Sequence, residues 1–363
     1  MSIRYLTALF LFLIALTKTN AQSNIHDFDS LVLHDQDFAS LAKTIGDTTD
    51  LFNDNRILDV ILESDFKNLV KRKFKDEYQE AILKIMFNDS IRVTRKIKIK
   101  PRGGMRKATC NIPPLKLNFS KKDAYIKQFE DFDKIKMVLD CKRNTLYEQY
   151  IILEYYAYKI QNIFTNYSLR VRLIRVKYID TGGKFKETTR FAFLIENIHQ
   201  LAGRRNAMRI EPSMIRDRQT NKQVLMDAYL FQYLIGNTDW SIPAMHNIYI
   251  IKSLDPTIPM TYVIPYDFDY AGLVNATYAV PDKQLGTETV RERVYRGVCL
   301  PDADLLSSAE RVLTKKNEIY NLIENDTLLN KSNRRSTLNY INEFFKILEN
   351  KKSFKRNIIE ACR

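Results

Sequence analysis

Between Leu234 and Gly272 two apolar segments end in acids. The run LIGNTDWSIPAMHNIYII carries Asp239 in a Gly-Asn-Thr-Asp turn and Asn247 eight residues later, and TYVIPYDFDYAG delivers Asp267 and Asp269. Three carboxylates and a carboxamide thereby meet at two strand ends, which is unfavourable unless the cluster holds a cation or moves a proton. Asp267 and Asp269 lie two apart, so an extended strand sets both on one face. The plainer reading, two solvated acids in a turn, fits poorly with the apolar flanks TYVIPY and YAGLV.

A chain of 363 residues with 45% hydrophobic residues is long enough for one large domain or two ordinary ones, each with a real core. Its first 21 residues differ from the rest. Arg4 precedes an apolar run from Tyr5 to Leu16, and the segment closes on Thr19-Asn20-Ala21. That layout predicts a secretory signal peptide cleaved near Ala21, the run being short for a membrane span. The protein is therefore expected to be exported: periplasmic, at the cell surface or secreted. The formal charge is +14, and loss of Arg4 and Lys18 leaves the chain strongly basic. Such an excess favours acidic protein partners, phosphates or an anionic envelope surface, and equally serves solubility. No nucleic-acid-binding motif accompanies it. Four cysteines, at 110, 141, 299 and 362, allow three pairings in an oxidising compartment. Cys110 with Cys141 is preferred, because each lies beside a predicted strand.

Residues 22–56 read as a polar, Asp-rich N-terminal arm. Alternating apolar positions then predict a strand at Ile57 to Glu63 and a hairpin of Ala81 to Phe87 with Ile91 to Ile99. The hairpin runs into Arg102-Gly103-Gly104, where two glycines let backbone N–H groups approach an anion and an arginine adds charge. Lys116 sits between two leucines in the next strand. It either snorkels to solvent or is held inward for a phosphate, and Lys98 and Lys100 on the adjoining strand are alternatives. After a strand at Lys134 to Leu139, the segment Thr145 to Phe164 predicts a helix that is apolar nearly all round and hence buried. Glu154 stands among Tyr150, Ile151, Ala157 and Tyr158 on that helix and needs a cationic partner. Lys116 is the proposed one. Glu148, nearer the helix start, is the alternative carboxylate, with a plain helix-dipole role. Strands at Leu169 to Ile179 and Thr189 to Ile195 lead to a hinge near Glu196. A largely apolar helix, Lys222 to Ile235, leads into the acidic stretch, and two or three helices follow Pro301. Trp240 reads as a core plug. Arg291, Arg293 and Arg296 read equally well as a site for an acidic acceptor or as a solvated face.

The order of glycine turn, strand lysine, helix glutamate, hinge, Asp loop and Asp-x-Asp segment resembles the layout of a protein-kinase nucleotide site. Over roughly Ile57 to Cys299 the chain resembles more closely the atypical kinases of the spore-coat CotH family, through Arg102-Gly103, Lys116, Asn237-Thr238-Asp239-Trp240 and Tyr266-Asp267-Phe268-Asp269. It is similar more distantly to HipA kinases. The resemblance implies an α+β, two-lobed protein-kinase-like fold, with an antiparallel-sheet N-lobe over 57–196 and a mainly helical C-lobe over 197–363. It implies ATP with Mg²⁺ or Mn²⁺, and transfer of phosphate to an acidic or hydroxyl-bearing protein acceptor. Asp239 would handle the acceptor proton, and Asn247, Asp267 and Asp269 would ligate metal. Lys116, braced by Glu154, would hold phosphates, and Arg102, Gly103, Gly104 and Glu196 would line the nucleotide. Seven residues, Trp240 to His246, separate Asp239 from Asn247, against four in ordinary protein kinases, which leaves His246 and Asn237 open as substitutes. Kinase-like folds also transfer AMP or glutamate, and an inactive binding or assembly module is the remaining alternative.

Overall fold

Period-two alternation builds the first half of the molecule. A computed structural model describes residues 51–53, 55–86, 92–119, 134–212 and 215–363. All of them fall within one compact unit, Asp47–Arg363. Strands β1 (Leu58–Ser64), β2 (Gln79–Met86), β3 (Arg92–Pro101), β4 (Leu115–Asn118), β5 (Lys134–Leu139), β6 (Val171–Asp180) and β7 (Thr188–Ile195) form one sheet. Its order is β1-β2-β3-β4-β5-β7-β6, and it closes because β1 also pairs in parallel with β6, Val60 opposite Val176 and Leu62 opposite Tyr178. Closure removes both sheet edges. It also gives the alternating side chains an inside: Leu62, Leu83, Ile99, Leu117, Ile135 and Ile174 are buried there.

This barrel corrects the expected architecture. An open antiparallel sheet serving as the N-lobe of a two-lobed kinase-like fold does not form, since the sheet is a closed, mixed, seven-stranded barrel with helices and a second small sheet outside it. The reason is the parallel β1–β6 contact, which joins segments more than a hundred residues apart and leaves no local sequence signal.

The outer face of β5, β7 and β6 is apolar where α3 (Thr145–Phe164) lies on it. Phe193 meets Tyr155 and Tyr158 at ring-centroid distances of 6.3 and 5.7 Å. Asn144 caps the helix by accepting from the Tyr147 backbone N–H. A second core continues from this face into α5 (Lys222–Ile235), the antiparallel sheet of β8 (Ala207–Ile210), β9 (Ile248–Ser253) and β10 (Thr261–Pro265), and the C-terminal helices at Asp302–Leu313, Lys316–Glu324 and Lys331–Glu349. Trp240 is a core plug, tilted against Tyr229 at 5.8 Å. Two short helices, α1 (Phe66–Lys71) and α2 (Met105–Thr109), decorate the barrel, and α4 (Ile198–Arg204) follows it with a capping box between Asn197 and Gln200.

Disulfides join Cys110 to Cys141, the preferred pairing, and Cys299 to Cys362. Among the described residues no helix is long and apolar enough to cross a membrane. The signal peptide expected at 1–21 and most of the arm expected at 22–56 lie outside the described residues.

Candidate active site

The Asp239 loop is anchored from behind. Helix α5 ends at Gly236, whose φ of +62° and close approach to Tyr340 exclude a side chain: a Cβ there would stand 2.0 Å from the Tyr340 hydroxyl. Buried Asn237 then donates to Gln232 Oε1 at 3.0 Å and accepts from the Asp239 backbone N–H at 3.0 Å, while its carbonyl accepts from Trp240 Nε1. Arg296 donates to the Thr238 carbonyl, and Arg293 to the Leu234 and Tyr340 carbonyls while lying over the Tyr340 ring. Arg291 also lies over that ring. Arg296 thus holds the loop itself, while Arg291 and Arg293 hold Tyr340 and the helix end behind it.

Asp239 is left with a side chain 39% exposed, and two neighbours hold it. His246 Nε2 shares a hydrogen bond with Oδ1 at 2.7 Å, and Asn247 Nδ2 donates to Oδ2 at 3.0 Å and to the Asp239 carbonyl at 2.8 Å. The seven-residue interval from Trp240 to His246 thus forms a loop that returns Asn247 onto Asp239, closed by the Ser241–His246 backbone pair. Asn247 in turn accepts the Tyr266 backbone N–H through its carbonyl at 3.0 Å, so one residue ties Asp239 to the segment bearing Asp267. Asn247 and Asp267 both hold positive φ, +52° and +66°, a conformation that side-chain-bearing residues adopt at an energetic penalty and that gathers at functional sites. The Asp267 backbone N–H donates to the Tyr158 hydroxyl of α3 at 2.9 Å, which fixes that turn from the buried side.

Behind Asp267 the acids are paired by a residue that sequence reasoning did not single out. The Arg-Gly-Gly turn, with Gly103 at φ +87°, does not stand alone: it opens α2, and α2 carries Arg106 inward. Arg106 Nε donates to Asp269 Oδ2 at 2.8 Å and Nη2 to Glu154 Oε2 at 3.0 Å, with Asp267 Oδ1 at 3.6 Å. Glu154 is 1% exposed, and its ion-pair partner is Arg106, where Lys116 was expected. One guanidinium cannot balance three carboxylates. Burial pushes the Glu154 and Asp269 carboxyls up; Arg106 opposes this, and their mutual repulsion and that of Asp267 add to it. Burial works against the Arg106 charge, yet Asp269 and Glu154 hold it cationic. Glu154 Oε1, buried without a hydrogen-bond partner, is where a retained proton fits. A charge count could have flagged Arg106: three acids in an apolar setting demand a guanidinium, and the glycine turn places one nearby.

The outer face of β3–β5 carries lysines in register, of which Lys136 lies within electrostatic reach of Asp267 and Lys100 is ion-paired with Asp76 at 2.7 Å. Lys100 pairs with Lys116, and Lys116 with Lys136. Like charges opposite one another on adjacent strands are destabilising, and Lys116 shows it: burial, then Lys100, Lys134 and Arg102, push its ammonium down. Lys136 is held more tightly. Its Nζ donates to the Tyr249 hydroxyl at 2.5 Å and lies about equally over the stacked rings of Tyr249 and Tyr266, 5.1 and 4.9 Å from their centroids. Burial and then Arg102 push it down to about 7, with Asp267 opposing. Lys136 was likewise not singled out from sequence.

The expected set is thus only partly gathered. Asn247 hydrogen-bonds Asp239 through its side chain, and its carbonyl holds Tyr266, the residue before Asp267. Lys116 and Arg102 belong to the cationic face, while Gly103 and Gly104 are exposed above α2. Asp269 and Glu154 are committed to Arg106. Glu196 faces no cleft: it accepts from Arg170 at 2.8 Å and from Arg204 at 2.9 Å, fully buried, and so locks β6, β7 and α4 together. Among the described residues no three His, Cys, Asp or Glu side chains stand close enough to cage a metal by themselves. Mg²⁺, however, is ordinarily held by one or two carboxylates together with substrate phosphates and water. Half-exposed Asp267 and the Asn247 amide oxygen, left over once Nδ2 has engaged Asp239, fit that sparser requirement. No protein-family model matches the chain, and no curated protein sequence matches it either.

Proposed function

We propose that the Asp239–Asp267 rim, together with Lys136, Lys116 and Arg102, transfers the γ-phosphoryl group of ATP to a hydroxyl-bearing protein acceptor. The observation that carries this reading is the bridge made by Asn247, which holds the Asp239 carboxylate with its side chain and the Tyr266–Asp267 segment with its backbone, beside Lys136, which lies over Tyr266 within electrostatic reach of Asp267 and has Lys116 as its neighbour on β4. A proton acceptor beside a carboxylate–carboxamide pair, with cations at hand, is what phosphoryl transfer asks of a protein. The CotH-like segments Asn237–Trp240 and Tyr266–Asp269 support the same chemistry, although the barrel gives no support to a kinase-like fold.

In this reading the acceptor oxygen bonds to Pγ, the Pγ–O bond to ADP breaks, and the acceptor proton passes to Asp239. His246 and Asn247 orient that carboxylate. Lys116, Lys136 and Arg102 neutralise the polyphosphate, with Lys136 aimed by its two tyrosines. Mg²⁺ or Mn²⁺, held by Asp267 and Asn247, would supply charge neutralisation at the phosphates. Arg106 holds Glu154 and Asp269 and so fixes the floor beneath Asp267. The two disulfides support export to an oxidising compartment, and the basic charge supports an acidic acceptor or an anionic envelope surface.

Mature protein incubated with ATP, glutamate, manganese and a mixture of envelope proteins tests the reading by intact mass. A gain of one phosphoryl group on an acceptor supports it. A gain of AMP or glutamate transfers the site to those chemistries, and no modification with no effect of ATP on melting identifies a binding module.

A further inference from the structure

One rim of the barrel carries a polar cluster that the proposed phosphotransfer site does not use. Asp140 follows β5, Arg143 and Glu148 flank the start of α3, Tyr178 and Thr188 face each other across β6 and β7, and Arg190 is two residues further on. The ionic contacts here are long, Arg190 Nε to Asp140 Oδ2 at 3.9 Å and Arg190 Nη1 to Glu148 Oε2 at 3.6 Å. Five atoms of the group are buried without a hydrogen-bond partner: Asp140 Oδ2, Arg143 Nη2, Tyr178 Oη, Thr188 Oγ1 and Arg190 Nε. Asp140 and Tyr178 are almost wholly enclosed. Buried polar groups in folded proteins are nearly always satisfied, so five together mark a missing partner.

The character of those atoms says what the partner is. Two guanidinium N–H groups and two hydroxyls offer four donors against one carboxylate oxygen. Arg143 is fixed by the Phe185 ring, 4.9 Å away, and by a hydrogen bond to the Lys186 carbonyl. Glu148 has one oxygen engaged by the Phe191 backbone N–H. Burial, opposed by Arg190 and aided by Glu148, raises the Asp140 carboxyl to about 6, so with Asp140 protonated the two arginines face Glu148 and Asp180 alone. Asp180, the remaining charged group facing Arg143, accepts backbone N–H bonds from Phe66, Lys184 and Phe185. Waters satisfy such donors one at a time, whereas one oxyanion presents acceptor oxygens to all four donors at once. Partly exposed Arg143, Thr188 and Arg190 leave a way in from solvent.

We propose that this rim is a second ligand site, holding one small free oxyanion of the phosphate or sulfate type between Arg143, Arg190, Tyr178 and Thr188. The inference is independent of the phosphotransfer reading. Calorimetric titration of the full chain with inorganic phosphate, and with sulfate, tests it beside Arg190→Gln, Tyr178→Phe and Lys116→Gln. Saturable binding that persists when Lys116→Gln weakens the polyphosphate-holding group is expected, and it is weakened about tenfold or more by Arg190→Gln and by Tyr178→Phe, each of which removes a hydrogen bond to an anion. Sulfate, whose charge is constant over the range, is expected to bind more tightly at pH 5.5 than at pH 7.5, because Asp140 is then protonated. Tyr178→Phe removes a single oxygen and keeps the ring that packs on Phe66, so it carries the test if Arg190→Gln fails to fold. Absence of saturable binding, or binding lost in Lys116→Gln and indifferent to Tyr178→Phe, overturns the proposal.

Discussion

Arg106→Met is the perturbation whose consequence follows most directly from the structure. The side chain is 11% exposed and makes the 2.8 Å and 3.0 Å contacts to Asp269 and Glu154, themselves 9% and 1% exposed. Removing the cation strands two buried carboxylates, a change that ordinarily destabilises by about 3–5 kcal/mol. The sign of the pH dependence is fixed as well. The Glu154 and Asp269 carboxyls are already raised in the folded state, so the folded protein binds more protons than the unfolded one. Their contribution is fully present below the ordinary carboxylate range and is lost as pH rises. Without Arg106 both carboxyls rise further, and the deficit of the variant must grow with pH. Urea unfolding of wild type and variant at pH 5 and pH 8 measures this. The account expects a deficit of about 3–5 kcal/mol at pH 8 that shrinks at pH 5. A deficit below about 0.5 kcal/mol at pH 8, the scale of an ordinary surface substitution, or one independent of pH, refutes the placement of Arg106.

Glu196→Gln should destabilise by about 3–5 kcal/mol, since Arg170 and Arg204 both converge on that buried carboxylate, while leaving ATP affinity unchanged; loss of ATP affinity at intact stability would return it to the nucleotide site. Lys136, held at about 7, binds fewer protons folded than unfolded between pH 7 and its ordinary 10.5. Its contribution to stability therefore falls as pH drops through that window, and Lys136→Met should flatten the difference in urea midpoint between pH 7.5 and pH 10. Replacing Cys110 and Cys141, which are 31 residues apart, by serine should cost roughly 3–4 kcal/mol on the chain-entropy account, read from unfolding under non-reducing conditions.

Local structure was legible in the sequence, and long-range closure was not. The helices Thr145–Phe164 and Lys222–Ile235 and the strand Lys134–Leu139 stand where apolar periodicity puts them, because burial on nearly every face leaves no polar stripe to confuse the pattern. The barrel depends on β1 meeting β6. Both strands also read as members of an open sheet, so nothing short of the register distinguishes the two. At the site, the turn chemistry of Asn237–Asp239 and the Asp267 strand end was readable from residue type. The partner of Glu154 was not. Lys116 is on a strand beside the right region, but outward-facing parity sets it with Lys100 and Lys136, and a one-turn helix after the glycines supplies the arginine instead. Lys136 escaped notice for a related reason: its two tyrosines come from 249 and 266, and only the fold stacks them.

The central claim is phosphoryl transfer from the Asp239–Asp267 rim, and γ-labelled ATP with manganese tests it most directly on wild type, Asp239→Asn and Asp267→Asn. Both side chains are more than a third exposed, so the substitutions should leave melting temperature unchanged. The account predicts label on acceptor protein with wild type and none above background with either variant. Equal labelling by wild type and both variants, or none by wild type under conditions where ATP raises its melting temperature, would contradict it.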